Sequence, residues 1–506
     1  MDQRVREQDR ATAAAAVLPS TDRPPLSASE LRTIMASLML AMFLAALDQT
    51  IVATALPTIG HQFHDVSNLS WVITAYLVAS TAMAPVFGTL SDIYGRRVTI
   101  TMSLVSFIAG SVLCALAPNL IVLILARALQ GIGGGGILPV VQTIIADVIT
   151  PRERGQYQAY FSAVWAAAGI GGPILGGVMT QYLDWSVIFW INLPLGVAAM
   201  AVLLPKMKRI PPHHRHRELD WIGGLLLMAA AVVVLLVLTW GGGRLAWRSP
   251  EILSMIAAAF VLTGFFLWHA RRAAEPFLPL SLMGGTVVPH AMLIGSLTLG
   301  TTIGLTVYLP LYYEVVYGLA ASQAGLALIP LVAVSVVGST AVGRVMSRMH
   351  HYKWVAIAGT GLAAVVFGAI AIFTPLPLWL FLTLLATGAL GLGTGFPTST
   401  VALQNAVQRY QIGTATGASN FFRSMASSFA VAAFTAILLA MLGAREALNG
   451  HAVDITHDLS VVDTVAAFRP IFVAASLMMA TACLAVTLME ERPLAGPPDA
   501  DAVAVE

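Results

Sequence analysis

Apolar and polar residues in this chain do not alternate with the period of a strand, nor do they trace one face of a soluble helix. They come in blocks. Apolar runs of about twenty residues, each long enough to cross a bilayer as a helix, recur fourteen times, separated by short polar connections. The pattern predicts helices at about 33–56, 71–90, 98–117, 120–147, 157–180, 186–204, 220–241, 251–269, 288–314, 322–346, 354–373, 378–406, 410–440 and 467–489. The fold class is therefore all-α integral membrane. An even number of crossings puts both ends of the chain on one side of the bilayer.

The run at 157–180 is unusual in content. It holds Ala168-Gly169-Ile170-Gly171-Gly172-Pro173-Ile174-Leu175-Gly176-Gly177, five glycines and a proline in ten residues. In a soluble helix interior each Gly would cost about 1 kcal/mol and the Pro about 3. Inside a membrane, neighbouring helices satisfy the backbone, and small residues let two helices approach closely. Pro173 is expected to bend this helix. The glycines are expected to form a smooth face for a tight helix–helix contact.

Composition agrees with the pattern. Only 10% of residues are charged and 58% are hydrophobic, against about 25% charged in soluble domains. A net charge of +2 offers no field for nucleic acid. Cys114 and Cys483 both lie in apolar runs, so they form neither a disulfide framework nor a metal site. Residues 1–32 are polar and Ala-rich, without the apolar centre of a cleavable signal; they are read as a disordered tail. Of the 27 Lys and Arg residues, Arg244, Arg248, Arg445 and Arg469 fall on one face, Arg127 and Arg423 fall inside helices, and all the others fall on the opposite face. By the positive-inside rule that face, with both termini, is cytoplasmic. His213, His214 and His216 cluster on it. They sit among arginines without cysteine, so they are read as a solvated loop and no metal site is expected.

The chain echoes itself. Gly133, Gly135, Pro139 and Gly155 recur as Gly391, Gly393, Pro397 and Gly413, and the loop after Gly88 recurs after Gly343. Helix 4 matches helix 12 and helix 2 matches helix 10, a shift of eight helices rather than six. The expected division is a tail at 1–32, a six-helix bundle at 33–204 and a loop at 205–219. Two inserted helices at 220–269, a second six-helix bundle at 270–489 and a tail at 490–506 follow. Paired repeats around a central cavity are a transporter's architecture.

The candidate chemistry lies in a few polar positions. Between helices 2 and 3 runs Gly88-Thr89-Leu90-Ser91-Asp92-Ile93-Tyr94-Gly95-Arg96-Arg97. Glycines suit its tight turn, and Asp92 can accept from a helix end or pair with a base. The second-half copy lacks the acid and the second glycine, so a gate role rests on Gly88, Asp92, Gly95, Arg96 and Arg97. Arg127 is buried in helix 4, which costs at least about 2.5–3.5 kcal/mol, so it requires a partner or a wet cavity. No G-K-[ST] follows it, so it opens no phosphate loop. Asp48 lies about 13 Å along helix 1 from Pro57, and Arg127 about 10 Å into helix 4 from Leu120, at similar depth. Either the two form a fixed ion pair, or Asp48 takes up and releases a proton as its distance from Arg127 changes. Glu314 is a second proton candidate, Asp147 reads as structural, and Arg423 needs an internal partner. Tyr308, Tyr312, Tyr313 and Tyr317, near the outer end of helix 9, are either interfacial or line the outer vestibule; Tyr308, Tyr312 and Arg423 are candidates for a substrate cavity.

These strings together resemble the fourteen-helix drug:proton antiporters of the major facilitator superfamily, the EmrB/QacA type, over about residues 33–490. Leu47-Asp48-Gln49-Thr50-Ile51-Val52-Ala53-Thr54-Ala55-Leu56-Pro57 is similar to that family's first-helix motif. The 88–97 loop, the Arg127 string and the fifth-helix antiporter motif (Gly169, Gly172, Pro173, Gly176, Gly177) follow in order. Asn420-Phe421-Phe422-Arg423 is similar to a helix 13 string in relatives. Asp184-Trp185-Ser186 departs from a W-R-W-like string before helix 6. The resemblance implies the major facilitator fold and alternating access driven by proton entry, with Asp48 and Arg127 in coupling roles. It also implies export of hydrophobic, often cationic drugs from a bacterial inner membrane, with the proton gradient as energy source and no cofactor.

The expected partners are small amphiphilic substrates, protons and the lipid bilayer, with no nucleic acid. A periplasmic adaptor protein joins them if the host is Gram-negative. Two alternatives stand: export of one dedicated metabolite (an antibiotic, amino acid or lipid) and a non-transporting membrane sensor. No zinc-protease string or gathered Ser/His/Asp set favours an enzyme, and no Walker A motif favours ATP.

Overall fold

The computed structural model describes residues 27–65, 68–208, 219–242, 245–349, 351–449 and 461–494. Most of both tails, His213, His214 and His216, Arg244 and the centre of the 441–466 connection lie outside the described residues. Within them, fourteen helices are long and apolar enough to cross a membrane. They are α1 Ala28–Phe63, α2 Trp71–Ile93, α3 Arg96–Ala115, α4 Leu120–Val148, α5 Pro151–Tyr182, α6 Val187–Met207, α7 Trp221–Trp240, α8 Pro250–Ala270, α9 Val287–Tyr317, α10 Ser322–Arg348, α11 Lys353–Phe373, α12 Leu378–Ala406, α13 Arg409–Met441 and α14 Val461–Leu488. α6 is interrupted at Ile191.

Most helix ends fall within a few residues of the hydropathy windows. Those that differ have identifiable causes. α1 starts early because Ser27 and Glu30 form a capping box. It also runs through Pro57 to Phe63, since a proline removes one backbone bond and a packed membrane helix tolerates that. The α13 helix continues to Asn449, because Ala444, Arg445, Glu446, Ala447 and Leu448 are strong helix formers outside the apolar window. Much of the outer connection expected at 441–466 is thus helix.

α1 to α6 pack into one bundle and α9 to α14 into another. The repeated glycines explain how each bundle closes. A Cβ on Gly133 would come 2.3 Å from the Phe107 amide of α3, and one on Gly135 would come 2.3 Å from the Ser80 carbonyl of α2. Their counterparts do the same in the second bundle: Gly391 meets the Gly359 carbonyl of α11 at 2.1 Å, and Gly393 the Ser335 carbonyl of α10 at 2.0 Å. α4 and α12 are therefore the central helices of their halves, held at backbone contact on two sides.

The inserted pair, α7 and α8, packs together, with α7 against α2 and α13. Asp220 fixes the end of this pair. It accepts from the amides of Gly223 at 2.9 Å and Phe277 at 3.0 Å, and lies 2.7 Å from His269 Nε2. Partial burial opposes its ionisation, but these donors outweigh that and hold its carboxyl below the usual range. At the other end Trp71 meets Trp240 edge to face, 5.4 Å between centroids. The outer side of α8 is bare and apolar, with Phe260, Phe265 and Trp268 exposed, as a lipid-facing helix should be.

The glycine-rich stretch of α5 corrects one expectation. Only Gly172 and Gly176 of its five glycines pack tightly. A Cβ on them would come 2.0 Å from Thr50 Oγ1 and 2.2 Å from Thr54 Oγ1 of α1. Gly169, Gly171 and Gly177 have nothing within 4 Å, and Pro173 is exposed. Helical periodicity decides this: residues four apart share a face, and their neighbours point elsewhere. α5 also stays one continuous helix through Pro173. Gly172→Val should therefore reduce the yield of folded, monodisperse protein sharply, while Gly169→Val should leave it near wild type, as size-exclusion of the purified variants will report. Equal losses would contradict this packing.

Candidate functional site

Asp48 of α1 and Arg127 of α4 meet in the interior of the first bundle. Asp48 Oδ2 accepts from Arg127 Nη1 at 2.6 Å, and both side chains are almost wholly buried. The depth counted along the two helices agrees with this contact. The pair is completed by neutral neighbours. Asp48 Oδ1 accepts from Gln130 Nε2 at 2.7 Å and from Asn192 Nδ2 at 3.0 Å. Arg127 also donates to Gln130 Oε1 at 2.7 Å and to the Val72 carbonyl at 3.1 Å. Its guanidinium carbon lies 4.3 Å from the centroid of the Tyr76 ring.

Each element contributes for a local reason. Gln130 follows Arg127 by three residues, so both project from the same face of α4. Asn192 opens the second segment of α6 after the interruption at Ile191, and its amide also donates to Ser111 Oγ at 2.9 Å. Ser111 in turn donates to the Phe189 carbonyl at 2.8 Å, tying α3 to the broken helix. A buried ion pair holds only when its remaining lone pairs and protons are satisfied, and removing one partner of such a pair costs about 3–5 kcal/mol. Asp48 meets that condition, with three donors on two oxygens. Sequence reasoning found the charges because a charge in an apolar run is conspicuous. It missed Gln130, Asn192 and Tyr76, although Gln130 at i+3 was a usable signal.

The second polar centre lies where the halves touch, at the end bearing Arg96, Arg152 and Arg348. Gly95, at φ 87°, makes the turn that the loop needs. Asp92 then caps the start of α13: it accepts from the amides of Gly413 at 3.0 Å and Thr414 at 2.7 Å, and from Thr414 Oγ1 at 2.8 Å. Arg96 bridges Asp92 at 2.6 Å and Asp147 at 2.7 Å, which locks α2, α3 and α4 together beneath that cap. Arg97 is exposed.

The halves meet there through glycine on glycine. A Cβ on Gly88 would come 2.4 Å from the Gly413 carbonyl, and one on Gly343 would come 2.3 Å from the Gly155 carbonyl. Gly88 and Gly343 are repeat counterparts, as are Gly155 and Gly413. The two contacts are therefore the same contact made twice about a pseudo-twofold axis. Ser162 and Ser339 bond at 2.9 Å, Asn420 donates to Gln142 Oε1 at 2.8 Å, and Arg152 reaches the Arg348 carbonyl at 3.2 Å. These hydrogen bonds between the two bundles lie in the arginine-rich portion, and much of α5 and α10 beyond it is exposed.

The remaining candidates are scattered. Glu314 is exposed on α9 in the other bundle and shares nothing with Asp48. Tyr312 does not line a vestibule. It is fully buried among Phe381, Phe468 and Phe472, with ring centroids 5.1, 5.0 and 5.9 Å away. Apolar burial of an aromatic ring in the bundle outweighs its preference for the interface. Tyr308 bonds the Thr435 hydroxyl and packs on Phe434. Arg423 is buried on α13 against Ser399 and Thr400, away from any acid that the structure describes.

Two pseudosymmetric helical bundles, a buried charge pair in one and a glycine-lined seam between them, fit a membrane transporter rather than an enzyme. The chain belongs to the Major Facilitator Superfamily, whose family model matches residues 38–431. It is 34% identical over 428 residues to an uncharacterised MFS-type transporter of Mycobacterium tuberculosis, covering 83% of this chain and 61% of that one. It thus spans about three fifths of that relative's length. It is 32% identical to the multidrug transporter protein MdtP of Bacillus subtilis, covering 81% of this chain and 76% of that protein. Identity to multidrug resistance protein 3 of the same organism is 31%, covering 79% and 78%. In fold it is similar to the human organic anion transporter MFSD10, with a TM-score of 0.63 at 15% identity over 90% of this chain and 99% of that one. It is also similar to the proton:xylose symporter XylE, at 0.58 and 14% over 91% and 95%.

The Asp92 cap is testable as a latch. With Cys114 and Cys483 replaced by Ala, cysteines at Ser162 and Ser339 should cross-link readily. Adding Asp92→Ala should lower that yield severalfold, because the α13 end loses its cap and Arg96 one of its two carboxylates. Unchanged cross-linking would show that the glycine contacts alone hold the seam.

Proposed function

We propose that this chain is a proton-coupled antiporter that exports hydrophobic or cationic drugs across a bacterial cytoplasmic membrane by alternating access. Its termini are cytoplasmic, because nearly all the Lys and Arg outside the helices lie on that face. On this reading the Gly88–Gly413 and Gly155–Gly343 seam is the cytoplasmic gate, and the geometry described is closed to the cytoplasm.

The observation that carries the proposal is Asp48 held wholly within one bundle by Arg127, Gln130 and Asn192. A nearby guanidinium favours the charged form of a carboxylate, and burial without one favours the protonated form, which is the coupling proposed here. Arg127 has contacts besides Asp48, since the Tyr76 ring and the Val72 carbonyl also hold it. The tight Gly172 and Gly176 contacts put α5 on Thr50 and Thr54, two and six residues along α1 from Asp48. A shift of α5 at the gate is thereby felt at the carboxylate. Relatives named as multidrug transporters support the substrate class.

The test is ethidium export from proteoliposomes under an imposed pH gradient. Wild type should need the gradient. Asp48→Asn, which keeps the size and removes the titratable charge, should fall to the rate of empty liposomes. Full-rate, gradient-driven export by Asp48→Asn would overturn the proposal.

A further inference from the structure

Arg423 is the unresolved charge of the second bundle. Its Nη2 donates to Ser399 Oγ at 2.8 Å and to Thr400 Oγ1 at 2.9 Å. Its Nε and Nη1 have no protein partner, although the residue is only 1% exposed. Arginine stays protonated in proteins, so the positive charge cannot be shed. Arg127 shows how this fold treats a buried cation it intends to neutralise internally: with a carboxylate at 2.6 Å and an amide beside it. Arg154, the other buried arginine outside an ion pair, instead sits on the carbonyls of Ala146 and Ile149 at the end of α4, where the helix dipole favours it. Arg423 has neither form of compensation.

Its surroundings are close-packed and hold further donors. Gly295 of α9 faces the guanidinium so closely that a Cβ there would lie 2.5 Å from Nε. The Phe396 ring covers it at 4.5 Å and packs on the core of the first bundle, so the site borders the junction of the halves. Ser419, one turn before Arg423 on the same face of α13, and Thr298, one turn after Gly295 on α9, carry buried hydroxyls without protein partners. Buried hydrogen-bonding groups in native proteins nearly always find partners. Here unpaired cationic donors and two idle hydroxyls gather on facing helices.

We propose that Arg423, with Ser399, Thr400, Ser419 and Thr298, forms a site for a small monovalent anionic group, supplied either as a free halide or as the carboxylate of an amphiphilic substrate. As a substrate subsite it rests on the export reading above; as a binding site it does not. It widens the expected cargo from cations to amphiphiles bearing an acid, since the first bundle's charge pair is already neutral and the second bundle's charge is not.

The experiment uses the purified full-length protein in detergent, unfolded thermally at constant ionic strength with gluconate as the background anion. Chloride, acetate and octanoate are then titrated in. Wild type should be stabilised saturably by at least one of them. Arg423→Gln should unfold no earlier than wild type in gluconate, because it removes an unpaired charge, and should lose apparent affinity about thirtyfold or more, the usual scale for truncating a buried charged partner. Ser419→Ala, a milder change, should weaken binding without loss of folding. Equal responses to chloride and acetate identify a free anion, while a response to octanoate alone identifies a substrate carboxylate. Asp48→Asn should keep the anion response, so a protein that fails to export yet binds anions loses only the export reading. No anion-specific stabilisation of wild type, or an unchanged response in Arg423→Gln, overturns the site.

Discussion

A carboxylate and a guanidinium sealed in the middle of a helical bundle constrain everything near them. Neither charge could remain there alone, so α1 and α4 must stay in register. The broken α6 must also supply Asn192, and α4 must project Gln130 beside Arg127. The cost of desolvating both ions is offset only because every lone pair of Asp48 in reach of a donor has one. That same completeness makes the pair sensitive: a small displacement of one helix changes the balance between an ion pair and a protonated acid. The coupling role proposed for Asp48 rests on this arrangement.

The second organising feature is a seam of bare backbone. Gly88 on Gly413 and Gly155 on Gly343 allow the bundles to touch without side chains between them, and the Asp92 cap on Gly413 and Thr414 adds a charge-assisted latch. The seam also buries apolar side chains: Ala82, Val86 and Leu90 of α2 share one cluster with Ala415, Ala418 and Phe421 of α13. The two glycine contacts are related by the internal repeat, the symmetry about which repeat-built transporters rock. The inserted pair α7 and α8, anchored through Asp220 at one end and Trp240 at the other, flanks α2 and α13 beside the seam.

Much of this was legible in the sequence because the bilayer imposes long apolar runs and punishes isolated charge. Fourteen helices, the repeat offset and the meeting of Asp48 with Arg127 follow from those two constraints. Helix ends were less legible where Pro57 or polar helix formers such as Arg445 and Glu446 masked continuity. Neutral polar residues were the blind spot: Gln130 and Asn192 are common in packing roles, and nothing in a window of hydropathy marks them as donors to Asp48. Tyr312 was misread for the opposite reason, since a tyrosine near a helix end suggests an interface, and only the facing Phe381, Phe468 and Phe472 reveal a core. Counting glycines could not separate Gly172 and Gly176, which touch α1, from Gly169 and Gly177, which touch nothing.

The central claim is that the charge state of Asp48 changes as cargo is handled. The most direct measurement is proton release from purified protein in weakly buffered detergent solution, followed with a pH-indicator dye as ethidium is added. The account predicts release from wild type on binding and none from Asp48→Asn, which still binds ethidium. Release of equal size from Asp48→Asn would contradict it and place the titrating group elsewhere in the molecule.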